Sequence, residues 1–558
     1  MENKLDRLTK MEVALKKERD SSWMTHWRDI ADFTSPRRYR TLIFESNKGD
    51  KRNQKIINNR ATIASRNMRA GMFVGMTSPS RPWFSLRAPD PELNEYWSVK
   101  EWLSIVEERV RQVFLRSNLY NMLPIIYGDE GIFGTANVIV MEDPRTVIRL
   151  FSAPVGSYVL SANENLHVDT IIRSVPMRVR QMVEKFGYDR NSRNVKNLWD
   201  RGQYDEIVEV SHYIGPNYWE QNGMADYTGM PFHSCYWETG RTASDDYLSE
   251  AGFEERPFMA PRWEVVGEDV YGSECPGMIA LGDNKALQTY EKRKAQGVEK
   301  MINPPMSAPM SMRNQKASLL AGDITYLDVR DGQQGFRPTH EINWRIAEVI
   351  EMISKHEERI STAFYEDLFL MLASSDRAQV TAREVEERHT EKLLMLGPVL
   401  ERQNSELLDP IIDRTFAIMA RRGMIPRPPQ EMEGIELRVE YVSIMAQAQK
   451  LLDIGSIERF STYIAGVAQI KPDVVDKFNA DQAVDEYGIR MGVPVKIIVP
   501  DEDVDMVRQA RAQQQYAMQQ AEMASQAAQN AQTLSQTRLG SGGSALDAVV
   551  DQNGEEAA

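Results

Sequence analysis

The chain has 558 residues, 42% of them hydrophobic and 27% charged, with a mean hydropathy of −0.47. That is apolar material enough for sizeable cores, it excludes wholesale disorder, and at roughly 150 residues per domain it suggests about three to four structural units. The net charge of −14 (pI near 5.3) argues against a simple nucleic-acid binder, although residues 1–90 hold 19 Lys/Arg against 10 Asp/Glu.

Residues 1–35 read as helix, with Trp23, Trp27 and Ile30 at helical spacing and Pro36 ending the pattern. Charges run through the first twenty residues, so no signal peptide is expected. Asn53 to Val74 is a second helical stretch, Trp83–Leu86 alternates as a short strand, and Tyr96 to Ser117 is helical again. The glycines of Gly128-Asp-Glu-Gly-Ile-Phe-Gly134 read as a turn before a strand at Thr135–Met141. From about 135 to 275 the texture becomes β-type, with strands at Val138–Met141, Val147–Phe151, Tyr158–Leu160, Thr170–Val175, Glu206–Ile214 and Arg262–Val266. Short helices are expected at Met177–Lys185 and Arg193–Arg201. Gly282 to Met301 is helical until Asn303-Pro304-Pro305, and residues 304–341 form an excursion with one strand at Ile324–Val329.

Ile342 to Leu372 is the clearest helix, with Ile346, Val349, Ile350, Ile353, Ile360, Phe364 and Leu368 as its apolar stripe. A short loop follows. Thr381-Ala-Arg-Glu384 is a capping box, with Val380 and Val385 as its hydrophobic staple. That helix should run to Arg422, kink at Gly397-Pro398 and end at Gly423. Ile435–Val442 alternates as a strand, and 443–488 read as several helices broken near Gly455, Gly466 and Lys471-Pro472. Gln509–Gln536 holds 10 Gln and 8 Ala in 28 residues; it is a helix packed on like neighbours, or disordered. The end, from Gly540, reads as a flexible tail. The fold class is α+β, mainly α.

Motifs that carry chemistry are absent. There is no phosphate-binding G-x-x-x-x-G-K-[ST], no H-E-x-x-H and no G-x-S-x-G. Only seven His occur, and Cys235 and Cys275 lie forty positions apart, which excludes a Cys-based zinc ribbon. The longest mostly apolar run, Ile132 to Met141, is half of what a membrane-crossing helix needs. No enzyme activity, cofactor, metal or membrane is expected.

Two long helices thus flank a small excursion, and a short loop reverses into a third. A hairpin with one narrow apolar stripe needs lateral partners. Copies of itself arranged head to tail would supply them; so would burial inside a monomeric bundle.

The segment Asn59-Arg-Ala-Thr-Ile-Ala-Ser-Arg-Asn-Met-Arg-Ala-Gly-Met-Phe-Val-Gly-Met-Thr-Ser-Pro-Ser-Arg-Pro-Trp-Phe-Ser-Leu86 resembles the head-to-tail connector, or portal, proteins of short-tailed phages. Thr77-Ser78-Pro79 and Pro82-Trp83-Phe84 are its most telling parts. Trp27-Arg-Asp-Ile-Ala-Asp-Phe-Thr-Ser-Pro-Arg-Arg38, Thr381-Ala-Arg-Glu-Val385, Leu396-Gly-Pro-Val-Leu400 and Glu406-Leu-Leu-Asp-Pro-Ile-Ile412 fit the same family, in matching order over roughly residues 20–440.

The resemblance implies a ring of about twelve subunits at one capsid vertex, assembled in the host bacterial cytoplasm. Double-stranded DNA passes through it without sequence specificity, during packaging and again during ejection. Its partners would be the terminase large subunit, a tail adaptor, and the major capsid and scaffolding proteins. Residues 1–275 and 381–440 would be the wing, 276–303 and 342–372 the stem helices, and 304–341 the clip. The channel loop would be Ala373, Ser374, Ser375, Asp376, Arg377, Ala378, Gln379 and Val380. Residues 441–540 would be the crown with a possible barrel helix, and 541–558 a tail. A conduit must not hold DNA tightly, and an acidic ring with a few cations meets that need. Arg377, Lys292, Lys294 and Lys300 are the DNA-facing candidates. The competing readings are a helical adaptor or scaffold that never contacts DNA, and an unrecognised hydrolase using a carboxylate pair.

Overall fold

The computed structural model describes the chain apart from residues 1–3, 44–48, 50, 53, 91, 220–223, 225, 240–246, 309, 311–312, 314–336, 339–344, 370–395, 433, 435–437, 442–459, 469–470, 492–498, 500 and 537–558. The residues group into two compact units, 1–93 with 102–451, and 94–101 with 452–558. Helices predominate over strands, so the α+β, mainly α expectation holds.

In the first unit, α1 (Lys4–Thr34) and α2 (Pro36–Leu42) meet at Ser35. Pro36 therefore opens a helix rather than only ending one; its missing N–H costs nothing at a first helical position. α3 (Arg60–Thr77) starts later than the pattern from Asn53 implies. β1 (Phe84–Arg87), α4 (Trp97–Arg116, which reaches into both groups) and α5 (Leu119–Phe133) follow. The expected turn at Gly128–Gly134 is mostly α5. A Cβ at Gly131 would strike the Met68 side chain, and one at Gly128 would come to 2.8 Å from Arg69 Cδ. These two glycines let α3 lie close against α5. Only Gly134, at φ +83°, makes the turn.

The β-rich part contains β2 (Val138–Asp143), β3 (Val147–Phe151), β4 (Tyr158–Ala162), β5 (Val168–Arg178), α6 (Val179–Phe186), α7 (Arg193–Asp200), β6 (Ile207–Pro216), β7 (Phe232–Glu238), β8 (Ser249–Phe253) and β9 (Phe258–Met259). β4 to β8 form an antiparallel meander in chain order, and β3-β2-β9 a smaller sheet. The expected strand at Arg262–Val266 is two isolated bridges, Thr135 to Arg262 and Glu264 to Ser273. The Arg262 amide bonds the Glu406 carboxylate at 3.0 Å instead of a ladder carbonyl.

α1 crosses the open edge of the meander at β4. Its first half lays Leu5 and Leu8 against Val159, Ile172, Tyr213 and Trp237. Buried Arg19 then donates from Nη1 to the edge carbonyls of Gly156 and Tyr158, at 2.9 and 3.0 Å. The second half places Met24, Trp27, Ile30 and Ala31 with Phe133, Ile171, Ile214 and Phe258. On the β4 edge the Tyr158 carbonyl is thus taken by Arg19 of the helix and the Leu160 N–H by Tyr271 Oη at 3.1 Å, which blocks strand addition there.

α8 (Pro276–Ile279) leads into α9 (Leu281–Ile302); β10 (Met306–Ser307) pairs antiparallel with β11 (Arg337–Pro338), and α10 (Ile346–Ala363) follows. The helix expected over 342–372 is interrupted: Phe364 and Tyr365 form a turn with Tyr365 at φ +53°, and 366–369 resume helix. The Phe369 ring turns onto Gly71 of α3, where a Cβ would collide with it. Residues 396–403 are helical. The irregularity expected at Gly397-Pro398 lies instead at Asn404–Leu408, one wide turn closed by Asp409 N–H to Asn404 O. Pro410 has no N–H to give the Glu406 carbonyl, which accounts for a wide turn at that point. The helix Asp409–Arg421 ends with Gly423 at φ +64°, as expected. β12 (Arg438–Tyr441) pairs with β1, so the expected return strand is present over those residues.

In the second unit 460–468 are helical and include Gly466, which breaks nothing. A tight turn at Pro472–Lys477 precedes Ala480–Met491, and the Gln/Ala stretch belongs to one helix, Asp501–Gln536. Its 36 residues span about 54 Å. Arg508 holds Asp481 through two bonds of 2.7 and 2.8 Å. The expected strand at Ile324–Val329, the capping box at Thr381 and the tail lie outside the described residues.

Candidate functional site

The site is the hairpin of α9 and α10. α9 begins after Pro276 and stops where Asn303 precedes two prolines, its last turn closed by Asn303 N–H to Glu299 O at 2.7 Å. The β10–β11 ladder then brings residue 307 back to 337, so the excursion leaves and returns at one place. Leu287 of α9 and Ile353 and Ile360 of α10 are buried.

One side of the hairpin is tied to the segment ahead of α3. Gln288 Oε1 accepts the amides of Ile57 and Asn58 at 2.7 and 2.8 Å. Asn58 Nδ2 donates to Glu291 at 3.2 Å and Glu357 at 2.7 Å. Arg60 pairs with Glu366 at 2.5 Å. Beyond this tie the same side opens into an apolar groove lined by Val298, Ile302, Ile346 and Ile350 with Lys294 and Glu299 at its rim. The opposite side carries a stack of Tyr290 on His356, 5.4 Å between centroids, and His356 Nδ1 lies 2.8 Å from Asp283 Oδ1. None of these polar ties was legible from spacing, since the partners are 73 to 306 positions apart. The only local signal is the pair Asn284 and Gln288, four residues apart on a helix face that also buries Leu287; Gln288 donates to Asn284 Oδ1 at 2.9 Å.

Of the residues singled out from sequence, Lys294 is engaged by Glu291 at 2.6 Å. Lys292 and Lys300 are exposed, and with Gln296 they recur every four residues on the side of α9 turned away from Leu287. The apolar stripe of α10 divides: Ile353, Ile360, Phe364 and Leu368 are buried, while Ile350 remains 49% exposed. Arg377 and the rest of 373–380 lie outside the described residues. Among the described residues no group of three or more His, Cys, Asp or Glu could hold a metal ion, and no helix is long and apolar enough to cross a membrane.

Comparison with known proteins places this architecture. Residues 6–498 match the family described as "Bacteriophage head to tail connecting protein". The chain is 47% identical to the portal protein of Salmonella phage epsilon15 over 553 residues, covering 99% of each chain. It is 42% identical to a probable portal protein of Bordetella phage BPP-1 over 520 residues, covering 93% of each. The chain therefore belongs to the bacteriophage head to tail connecting protein family, with a portal role in the virion that is structural and not enzymatic.

Proposed function

We propose that about twelve copies of the chain form a ring at one capsid vertex, through which double-stranded DNA enters during packaging and leaves at ejection. The observation that carries this reading is the family match over residues 6–498, which takes in the whole hairpin and its excursion. Residues 276–303 and 342–372 act as the stem, 304–341 as the clip and docking platform for the terminase large subunit and later the tail adaptor, and 373–380 as the channel loop. Residues 1–275 with 381–440 form the wing that meets capsid and scaffolding proteins, and 441–540 form the crown. Assembly takes place in the host cytoplasm.

The electrostatics support a conduit. With 81 acidic against 67 basic side chains the ring repels DNA overall. Each phosphate neutralised by a cation adds affinity and salt dependence, so few cations should face the duplex. Lys292 and Lys300, four residues either side of Gln296, and Arg377 fill that role; Lys294 is already neutralised by Glu291.

Native mass spectrometry with negative-stain imaging tests the reading. Closed rings of about twelve copies with a central hole are expected, and Arg377→Ala should alter the packaged DNA yield while leaving rings intact. A particle that stays monomeric at all salt concentrations would overturn it in favour of an adaptor.

A further inference from the structure

The two sides of the α9–α10 hairpin differ in chemistry and match in height. On the side tied to Asn58, Val298, Ile302 and Ile350 are 38%, 80% and 49% exposed, and Glu299 and Glu358 are exposed beside them. Half-buried Glu291 and Glu357 lie on the same side, where Lys294, the cation at the groove rim, already pairs with Glu291 at 2.6 Å. On the side of the Tyr290–His356 stack, Met301 and Met352 are 51% and 43% exposed, and the cations Arg293, Arg345 and Arg359 outnumber the carboxylates Asp283 and Glu348. Arg345 pairs with Glu348, and Arg359 sits 3.5 Å from Asp283. Helical phase separates the two sets: 350, 357 and 361 turn one way from the Ile353–Ile360 line, 352, 356 and 359 the other.

Rotation about an axis parallel to the hairpin moves a copy sideways without changing its height. The height of each group therefore decides what it meets. Met301 is within one position of Ile302, and Met352 is two positions from Ile350. Arg293 is two positions from Glu291, and Arg359 is one from Glu358. At 1.5 Å per residue every pair is level to within about 3 Å.

We propose that the groove side of one hairpin receives the methionine side of the next copy of this chain, Met301 and Met352 against Val298, Ile302 and Ile350, with Arg293 and Arg359 facing Glu291 and Glu358. The contact is heterologous, so it propagates around an axis until it closes. It rests on the ring reading and names the surfaces that make the ring. Apolar knobs in an apolar groove supply the attraction. The opposite charges fix the direction, because turning one copy over would set Arg against Arg.

The test is oxidative cross-linking of the full chain carrying Val298→Cys together with Met352→Cys. The native Cys235 and Cys275 are buried and stay silent. The double variant should give a ladder of covalent oligomers up to the ring number, and each single variant should stay monomeric on a denaturing gel while still forming rings by native mass spectrometry. Covalent dimers from a single variant would mean like sides meet, and would overturn the proposal. Rings that persist with no ladder from the double variant would overturn it while leaving the ring reading intact. A chain with no rings at all would remove both. Arg359→Glu and Glu358→Arg provide a second readout free of thiols. Each alone should lower the ring fraction about tenfold, corresponding to about 1.4 kcal/mol, and the exchange of both should restore it; equal loss in the double variant would refute the pairing.

Discussion

Replacing Glu130 by Gln should leave the protein as stable as the native chain near neutral pH and remove part of its pH dependence. Glu130 is fully buried in α5, and Gln403 Nε2 donates to its Oε1. Glu130 Oε2 and Gln403 Oε1 find no partner among the described residues. Two acceptors without donors are what a missing proton leaves behind. A proton on Glu130 supplies the donor and closes a paired acid–amide ring with Gln403. Burial first, and then the nearby Glu406 carboxylate, push the Glu130 carboxyl well above its ordinary range. The unfolded chain gives up this proton near pH 4.5 and the folded chain keeps it, so stability falls as pH rises above 4.5. The slope is at most about 1.4 kcal/mol per pH unit for the one proton. Adjacent Asp129, raised to about 6 by burial against the opposing pull of Arg38 and Arg69, adds its own fall, which ends near pH 6. Burial holds His212 and His26 below their ordinary value, which adds an opposing rise that ends near pH 6.5, so the difference between the native chain and Glu130→Gln isolates the Glu130 contribution. Urea unfolding followed by tryptophan fluorescence between about pH 6 and 8 should therefore show a declining midpoint in the native chain and a flatter one in Glu130→Gln. A loss of about 2 kcal/mol or more at every pH would refute the reasoning, because it would make the ionised carboxylate the required acceptor.

Arg414→Met should cost about 2–4 kcal/mol in the same assay, since it strands the buried Val140 carbonyl that Arg414 Nε holds at 2.9 Å and breaks its ion pair with Glu255 at 3.0 Å. Gly272→Ala should cost about 1–3 kcal/mol or more, because its Cβ would fall on the Gly134 carbonyl oxygen, a backbone atom that cannot swing aside; an unchanged melting temperature would show that this crossing relaxes freely. Truncation before Asp501 should leave the unfolding midpoint of the first unit unchanged, since residues 505–530 are all exposed; a lowered midpoint would mean the helix supports that core.

The sequence announces periodic elements well and long-range polar chemistry poorly. α1, α4, α9, the strand Val147–Phe151 and the Gly423 cap sit close to their expected places, because each is set by local periodicity or by one residue's backbone freedom. Gly128 and Gly131 misled for the opposite reason. Glycine marks a turn when it supplies backbone freedom, but here it supplies room for Met68 and Arg69 of another helix. Arg262–Val266 has strand composition, yet the Glu406 carboxylate takes its first amide, and no local signal reveals a partner 144 positions away. Likewise β7 and β8 carry no strand signature: His233, Ser234 and Cys235 are buried positions without the expected apolar composition, and β7 is held by pairing to β6 and β8. Of the residues proposed for DNA, only the α9 lysines could be placed. Helical spacing was enough to put them on one helix, and only the ion pair with Glu291 tells Lys294 apart from Lys292 and Lys300.

The path of α1 has a consequence for synthesis. Trp27 donates its indole N–H to the Phe133 carbonyl at 3.1 Å, and both Trp23 and Trp27 pack on the ring of Tyr271, at 5.7 and 5.2 Å. The first helix to leave the ribosome therefore waits for a residue more than 240 positions behind it. At about 5–20 residues per second that delay is roughly 12–50 s. Leu5 and Leu8 wait for the strands that end with Trp237, and Trp23 and Trp27 for Tyr271 itself. The nascent chain must shelter that stripe or bind a holding chaperone, and a fragment ending before Tyr271 never completes the pocket that receives its own beginning.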